Sequence, residues 1–152
     1  MTRLVVVLPL EPLVVGARFA FREWPLHITV VQNFATEASV DDVIARLASF
    51  DAAAVTVTAA HDEGFGASGS MPVTVIEQSP HLAAMHRSLT ALLQPLDLEI
   101  PEYAGDNYRP HVTQKAHGRV HSGDVLTLTQ LALVDLTAGR QREVLAVRTL
   151  RA

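Results

Sequence analysis

Two short stretches of this chain carry residues able to move protons near neutral pH. Leu26-His27-Ile28-Thr29-Val30-Val31 and Pro110-His111-Val112-Thr113-Gln114-Lys115 share one pattern: an apolar residue or proline, then His, apolar, Thr. Imidazole titrates near neutrality, so one ring can accept a proton while another, protonated, gives one up. A hydroxyl beside each ring can donate a hydrogen bond to an oxygen on which negative charge is held. A single His-x-Thr segment is usually no more than the wet face of a strand. Two of them, each with apolar residues in the opposite phase, point to two equivalent strands presenting matching polar groups.

The elements that must position these residues follow from periodicity. In a strand, successive side chains point to opposite faces. His27 and Thr29 therefore share one face and Ile28 and Val30 the other, while His111, Thr113 and Lys115 fall in phase. Residues 3–10 form a β-branched apolar run ended by Pro9 and Pro12, which reads as a buried strand. Residues 14–21 suit either a short helix or a second extended piece. After Trp24-Pro25 the first His-x-Thr strand runs to about Asn33. Ser39 caps a helix with Asp41 and Asp42 in its first turn and Val40, Val43, Ile44 and Leu47 at helical spacing. Residues 54–77 read as a long-looped hairpin. Ser79-Pro80 opens a second helix, with an apolar stripe through Leu82, Met85, Leu89, Leu92, Leu93 and Leu96. An irregular connection at 97–109, containing Pro101 and Gly105, leads to the second His-x-Thr strand. Residues 125–136 and 142–150 read as two closing strands. Helices set among antiparallel-type runs predict an α+β fold.

Composition narrows the function classes. The chain has 152 residues, enough for one domain with a real core, and 49% of them are hydrophobic. The absence of cysteine removes disulfides, thiolate metal sites and a Cys nucleophile. No apolar run is long enough to span a bilayer, and the first residues lack a secretory h-region, so the expectation is a cytoplasmic protein with no membrane partner. A formal net charge of −4 argues against a long basic nucleic-acid surface but leaves room for a small anion in a local pocket.

The two motifs, with Tyr108-Arg109-Pro110 leading into the second, resemble the 2H phosphoesterase family of 2′-5′ RNA ligase-like proteins and 2′,3′-cyclic phosphodiesterases. Phe65-Gly66, the strand at 72–77 and the helix from Ser79-Pro80 resemble the family's segment between its motifs, so the likeness spans almost the whole chain. Gln114 departs from it, standing where the family has an apolar residue. The resemblance implies a bilobal α+β fold: two pseudo-symmetric antiparallel sheets with outer helices, facing across a central cleft within a single domain, residues 1–152. It implies metal-independent chemistry on RNA-type phosphodiesters, opening 2′,3′-cyclic phosphates to 2′-phosphates with no cofactor. The residues suit that chemistry: one histidine takes a proton from water, the other gives one to the leaving ribose oxygen, and Thr29 and Thr113 hold the non-bridging oxygens. By analogy His111 is the acid and His27 the base.

Around this quartet, Lys115 and Arg109 are candidates for phosphate binding, with solvated surface side chains as the plain alternative. Trp24, Phe65 and Tyr108 are candidates for stacking on a base, with core packing the commoner fate of Phe65. The Gly64–Ser70 segment lacks the Gly-Lys-Ser/Thr ending of a P-loop and reads as a hairpin loop. His61, His81, His86, His117 and His121 lack metal-site spacing and are expected at the surface. The expected partner is a nucleotide or short RNA end bearing a cyclic phosphate, bound by a monomer. Two other readings remain: a non-catalytic nucleotide or RNA-end binding module, and a metal-dependent hydrolase using His27, His111 and a further histidine.

Overall fold

The computed structural model describes residues 1–99 and 108–152. Pro101 and Gly105 of the expected connection lie outside the described residues. The strands are β1 (Thr2–Pro9), β2 (Arg18–Ala20), β3 (His27–Thr36), β4 (Val55–Phe65), β5 (Met71–Ile76), β6 (His111–Thr113), β7 (Val125–Leu128), β8 (Gln130–Asp135) and β9 (Gln141–Thr149). Helix α1 spans Val40–Ala48 and α2 spans Pro80–Leu93. The fold is α+β, and its strands form an antiparallel sheet in the order β2-β9-β8-β1-β3-β6-β5-β4-β7. Where two sheets facing across a cleft are expected, one continuous sheet is found, and its two halves join edge to edge where the two His-x-Thr strands, β3 and β6, lie side by side.

Each half repeats a simple logic. β3 is flanked by β1, and β6 by β5, so each His-x-Thr strand has one partner inside its own half and one across the seam. One face of the sheet is dry. Ile28, Val30 and Val112 join Leu4, Val6 and Leu8 in a core closed by Val43 and Leu47 of α1 and Leu82, Met85 and Leu89 of α2. Both helices start where their caps predict, with Ser39 Oγ accepting from Asp42 N–H and Ser79 Oγ from Leu82 N–H, each at 3.1 Å. The opposite face carries a smaller apolar cluster, in which Trp24 packs against Val5, Val7, Ala132 and Val134.

One open reading closes and two expectations change. Residues 14–21 yield a short strand, β2, on the edge beside β9. The run at 125–136 is two strands and not one: β7 pairs with β4 and β8 with β1, so the chain crosses from one half to the other around Thr129. Continuous hydrophobicity gave no sign of the break, because both pieces are apolar. His86 is buried, 1% exposed, and not at the surface. It sits on the inward stripe of α2, where its Nδ1–H donates to Val30 O at 2.6 Å.

Candidate active site

The antiparallel seam fixes the quartet. Ile28 pairs with Val112, which sets His27 opposite Thr113 and Thr29 opposite His111. Directly opposed side chains in an antiparallel pair lie on one face, roughly 5 Å apart at Cβ. The two histidines are then diagonal neighbours, separated by about 7–8 Å. Ile28 and Val112 are fully buried on the dry face, so a one-residue slip would expose them and bury the quartet. The apolar residues between the polar ones therefore set the register that aligns the site.

The two imidazoles are held alike. His27 Nδ1–H donates to Pro25 O at 2.8 Å, and His111 Nδ1–H donates to Arg109 O at 2.9 Å, in each case two residues back. This fixes the tautomer and leaves both Nε2 atoms for chemistry. Among the described residues neither Nε2 has a partner, and the only buried side-chain nitrogen without one is Arg142 Nε. His27 Nε2 therefore reaches solvent even though the residue as a whole is only 9% exposed.

The surroundings differ. Trp24 covers His27 with ring centroids 3.7 Å apart, and Phe65 meets His111 edge-on at 4.6 Å. Burial pushes the His27 pKa down to about 4, helped by the charges of Lys115, His111 and Arg142. His111 is also lowered, first by burial and then by Arg109, with the carbonyl of Arg109 acting in the opposite direction. Both rings are therefore neutral at pH 7 in the free protein. Lowering a buried histidine from 6.5 to about 4 makes folding pH-dependent. Below pH 6.5 the unfolded chain takes up a proton at this position and the folded chain does not, so stability falls as the pH drops to 4. The expected loss is about 3 kcal/mol by pH 4. Urea unfolding of wild type and His27→Asn at pH 7 and pH 4 checks this. Equal acid sensitivity in the two proteins would show that His27 is not the source.

The other sequence candidates divide. Trp24 is 8% exposed and packs in the smaller core, so its role is to cover His27 and not to offer an open stacking face. Tyr108 stacks on His86 with centroids 4.1 Å apart, and its hydroxyl donates to Thr29 O at 2.7 Å. Burial raises its pKa. With His86 on Val30 O, these side chains bind successive carbonyls of β3, the strand that carries His27. Arg109 is paired with Glu63 at 2.7 Å and lies 5.0 Å from the Phe65 ring. Lys115 lies beyond the end of β6, in a bridge with Gly118, and its ammonium stands 5.8 Å from the Trp24 ring. Gln114, the departure from the family pattern, reaches Val73 O at 3.4 Å and Thr74 Oγ1 at 3.5 Å. Buried Thr74 also donates to Val120 O, so the substitution belongs to a polar network under the strand.

Two further residues stand by the quartet. Phe65, a stacking candidate with core packing as its commoner fate, is half-buried at the edge of His111. It ends β4 just before a tight turn, where Gly64 lies so close to the Gly69 carbonyl that a Cβ at 64 would stand 2.2 Å from its oxygen. Arg142, at the start of β9, is 115 residues from His27 in sequence and had no local signal. A cavity of about 570 Å³ is lined by Tyr108, Arg109, His61 and the start of α2 and does not include either catalytic candidate histidine. No group of three or more potential metal-ligating side chains occurs among the described residues. Nor does any described helix have the length and apolarity to cross a membrane.

The sequence model of the 2′-5′ RNA ligase superfamily matches residues 15–133. Among solved structures, a protein described as a phosphoesterase superposes with a TM-score of 0.63 at 16% identity, covering 99% of each chain. LigT of Escherichia coli in complex with 3′-AMP gives 0.61 at 18% identity, with 99% of each chain covered. TT0787 of Thermus thermophilus gives 0.64 at 17% identity, covering 99% of this chain and 98% of that one. At these identities the likeness is one of fold. No curated protein matches the chain.

Proposed function

The chain belongs to the 2′-5′ RNA ligase superfamily, and on that premise we propose that it is a metal-independent phosphoesterase that opens 2′,3′-cyclic phosphates to 2′-phosphates. The substrate is a nucleotide or a short RNA end. The observation that carries this reading is the register at the seam, which faces each histidine with the other motif's threonine. A phosphoryl group above the seam would have an imidazole at each diagonal corner and a hydroxyl at each of the other two.

The reaction balances with these groups alone. His27, kept neutral by burial, takes a proton at Nε2 from a water molecule as its oxygen attacks phosphorus. The bond from phosphorus to the ribose 3′ oxygen breaks, and His111 delivers the Nε2 proton to that oxygen. The 2′-phosphate remains. Solvent then takes the proton from His27, and His111 gains a proton again when the next anionic phosphate sits beside it. The assignment of base and acid rests on the environments: His27 has the deeper burial and the extra charges of Lys115 and Arg142, whereas His111 is more accessible and gains a proton more readily once an anionic phosphate sits beside it. Thr29 and Thr113 donate to the non-bridging oxygens. Tyr108 and His86 act as positioning residues through the carbonyls of β3.

The test is hydrolysis of nucleoside 2′,3′-cyclic phosphates, and of a short RNA ending in one, in excess EDTA. Products are compared chromatographically with 2′- and 3′-phosphate standards. Turnover that resists EDTA and yields the 2′-phosphate is expected. Loss of turnover on chelation would point to metal-dependent hydrolysis. Binding of the same compounds without turnover would leave a nucleotide-binding module. Exclusive 3′-phosphate product would reverse the identity of the leaving oxygen.

A further inference from the structure

Positive charge is distributed unevenly about the quartet. On the His111 side, Arg109 is neutralised by Glu63. On the His27 side stand Lys115 and Arg142, and neither pairs with a carboxylate among the described residues. Both approach the Trp24 ring, Lys115 Nζ at 5.8 Å and Arg142 Cζ at 5.9 Å from its centroid. Arg142 is also 5.9 Å from the ring of Phe21, which is 38% exposed, and Lys115 Nζ donates to Phe21 O at 3.4 Å. The two cations thus converge on one short connection, Phe21–Trp24, that leads directly into His27.

Arg142 is fixed in this position. Its Nη1 donates to the carbonyls of Gly139 and Gln141, while its Nε is buried without an acceptor. Native structures seldom leave a buried donor unmet, and like charges brought together over one ring repel. Burial acts against the charge on both side chains. An anion would answer two of these costs: it offsets the repulsion and favours the charged forms.

We propose that Lys115 and Arg142, beside Trp24, form a subsite for a second phosphate of the substrate, separate from the phosphate attacked between His27 and His111. This rests on the functional reading above in placing the attacked phosphate at the quartet. Arg142 belongs to β9, which is separated from β3 in the sheet by β8 and β1. Its charge is felt at His27 and does not figure among the influences on His111, which places the subsite on the outer flank of His27. Guanidinium and ammonium together suit a phosphate: the first offers a planar fork and the second a compact charge. The second phosphate has two sources, a 5′-phosphate on the same nucleotide or the internucleotide phosphodiester on its 5′ side.

Product complexes test this without turnover. Titration calorimetry would compare adenosine 2′-monophosphate, adenosine 2′,5′-bisphosphate and a diadenylate ending in a 2′-phosphate, each with wild type, Lys115→Gln and Arg142→Gln. Wild type is expected to bind one or both two-phosphate ligands about tenfold more tightly than the monophosphate, and each variant to lose most of that ratio. Preference for the bisphosphate identifies a 5′-phosphate as the occupant; preference for the diadenylate identifies the internucleotide phosphodiester. Equal Kd values for all three ligands in wild type, or a preference that survives in both variants, would overturn the subsite. Because Arg142 anchors the turn before β9, thermal melting accompanies each variant, and Lys115→Gln carries the test if Arg142→Gln does not fold. A preference for the second phosphate in a protein that fails to open cyclic phosphates would refute the proposed activity and leave the subsite standing. Turnover without that preference would refute the subsite alone.

Discussion

Replacing either His27 or His111 by alanine is expected to lower kcat/KM for a nucleoside 2′,3′-cyclic phosphate by about 10²–10⁴, the usual range for one positioned acid or base. The double variant should fall little further, because the two groups act in one concerted proton exchange. The pH profile makes the prediction sharper. The base must be neutral, so wild-type activity should fall as the pH drops through about 4, where burial has set the His27 pKa. The acid must be protonated, so kcat/KM should also fall as the pH rises through the His111 pKa, which lies below 6.5 in the free protein. A bound phosphate anion favours the imidazolium, so the same limb in kcat should lie at higher pH. His27→Ala should lose the acid limb and His111→Ala the alkaline one. Activity that survives either substitution would remove the seam from the chemistry altogether.

Thr113→Val and Thr29→Val should each reduce kcat by about 10²–10³, the loss typical of one donor to a developing oxyanion. Valine keeps the shape and β-branching of threonine, so the strand and its register are retained. The effect should fall on kcat more than on KM, since charge on the non-bridging oxygens grows toward the transition state. Thr113→Ser should recover most of the loss by restoring the hydroxyl. A valine variant within about threefold of wild type would mean that the hydroxyl is not a donor to the reacting group. Retention of activity by Thr29→Val alone would make the seam functionally one-sided despite its two-fold arrangement.

The placement of Lys115 and Arg142 gives the two histidines different surroundings without any difference in the motifs themselves. Both motifs read His-x-Thr, and both rings donate Nδ1–H to a carbonyl two residues back. The asymmetry comes from their neighbours: a buried tryptophan with two cations at one ring, a half-buried phenylalanine with a neutralised arginine at the other. In the proposed mechanism this difference is what would make one corner the base and the other the acid, because desolvation and local charge, rather than residue type, decide which protonation state is favoured.

The sequence by itself determined which residues could form the quartet and which face they share. Alternation is a local property of the chain, so His27 with Thr29 and His111 with Thr113 could be read directly. The helix starts at Ser39 and Ser79 were equally legible, since a cap depends on a few adjacent residues. Tertiary structure alone decided the rest. The pairing of Ile28 with Val112 joins residues far apart in the chain, and it is this long-range register that sets each histidine opposite a threonine. The fates of Trp24, Tyr108 and Phe65 were decided by which of them had a core to enter: Trp24 found the small cluster on the site face, Tyr108 found His86, and Phe65 was left at the rim of His111. The burial of His86 and the arrival of Arg142 beside Trp24 had no local signature, because each depends on an element contributed from another part of the chain. Residue type and spacing specify the reactive groups; their burial, charge environment and mutual distance arise only when distant segments pack.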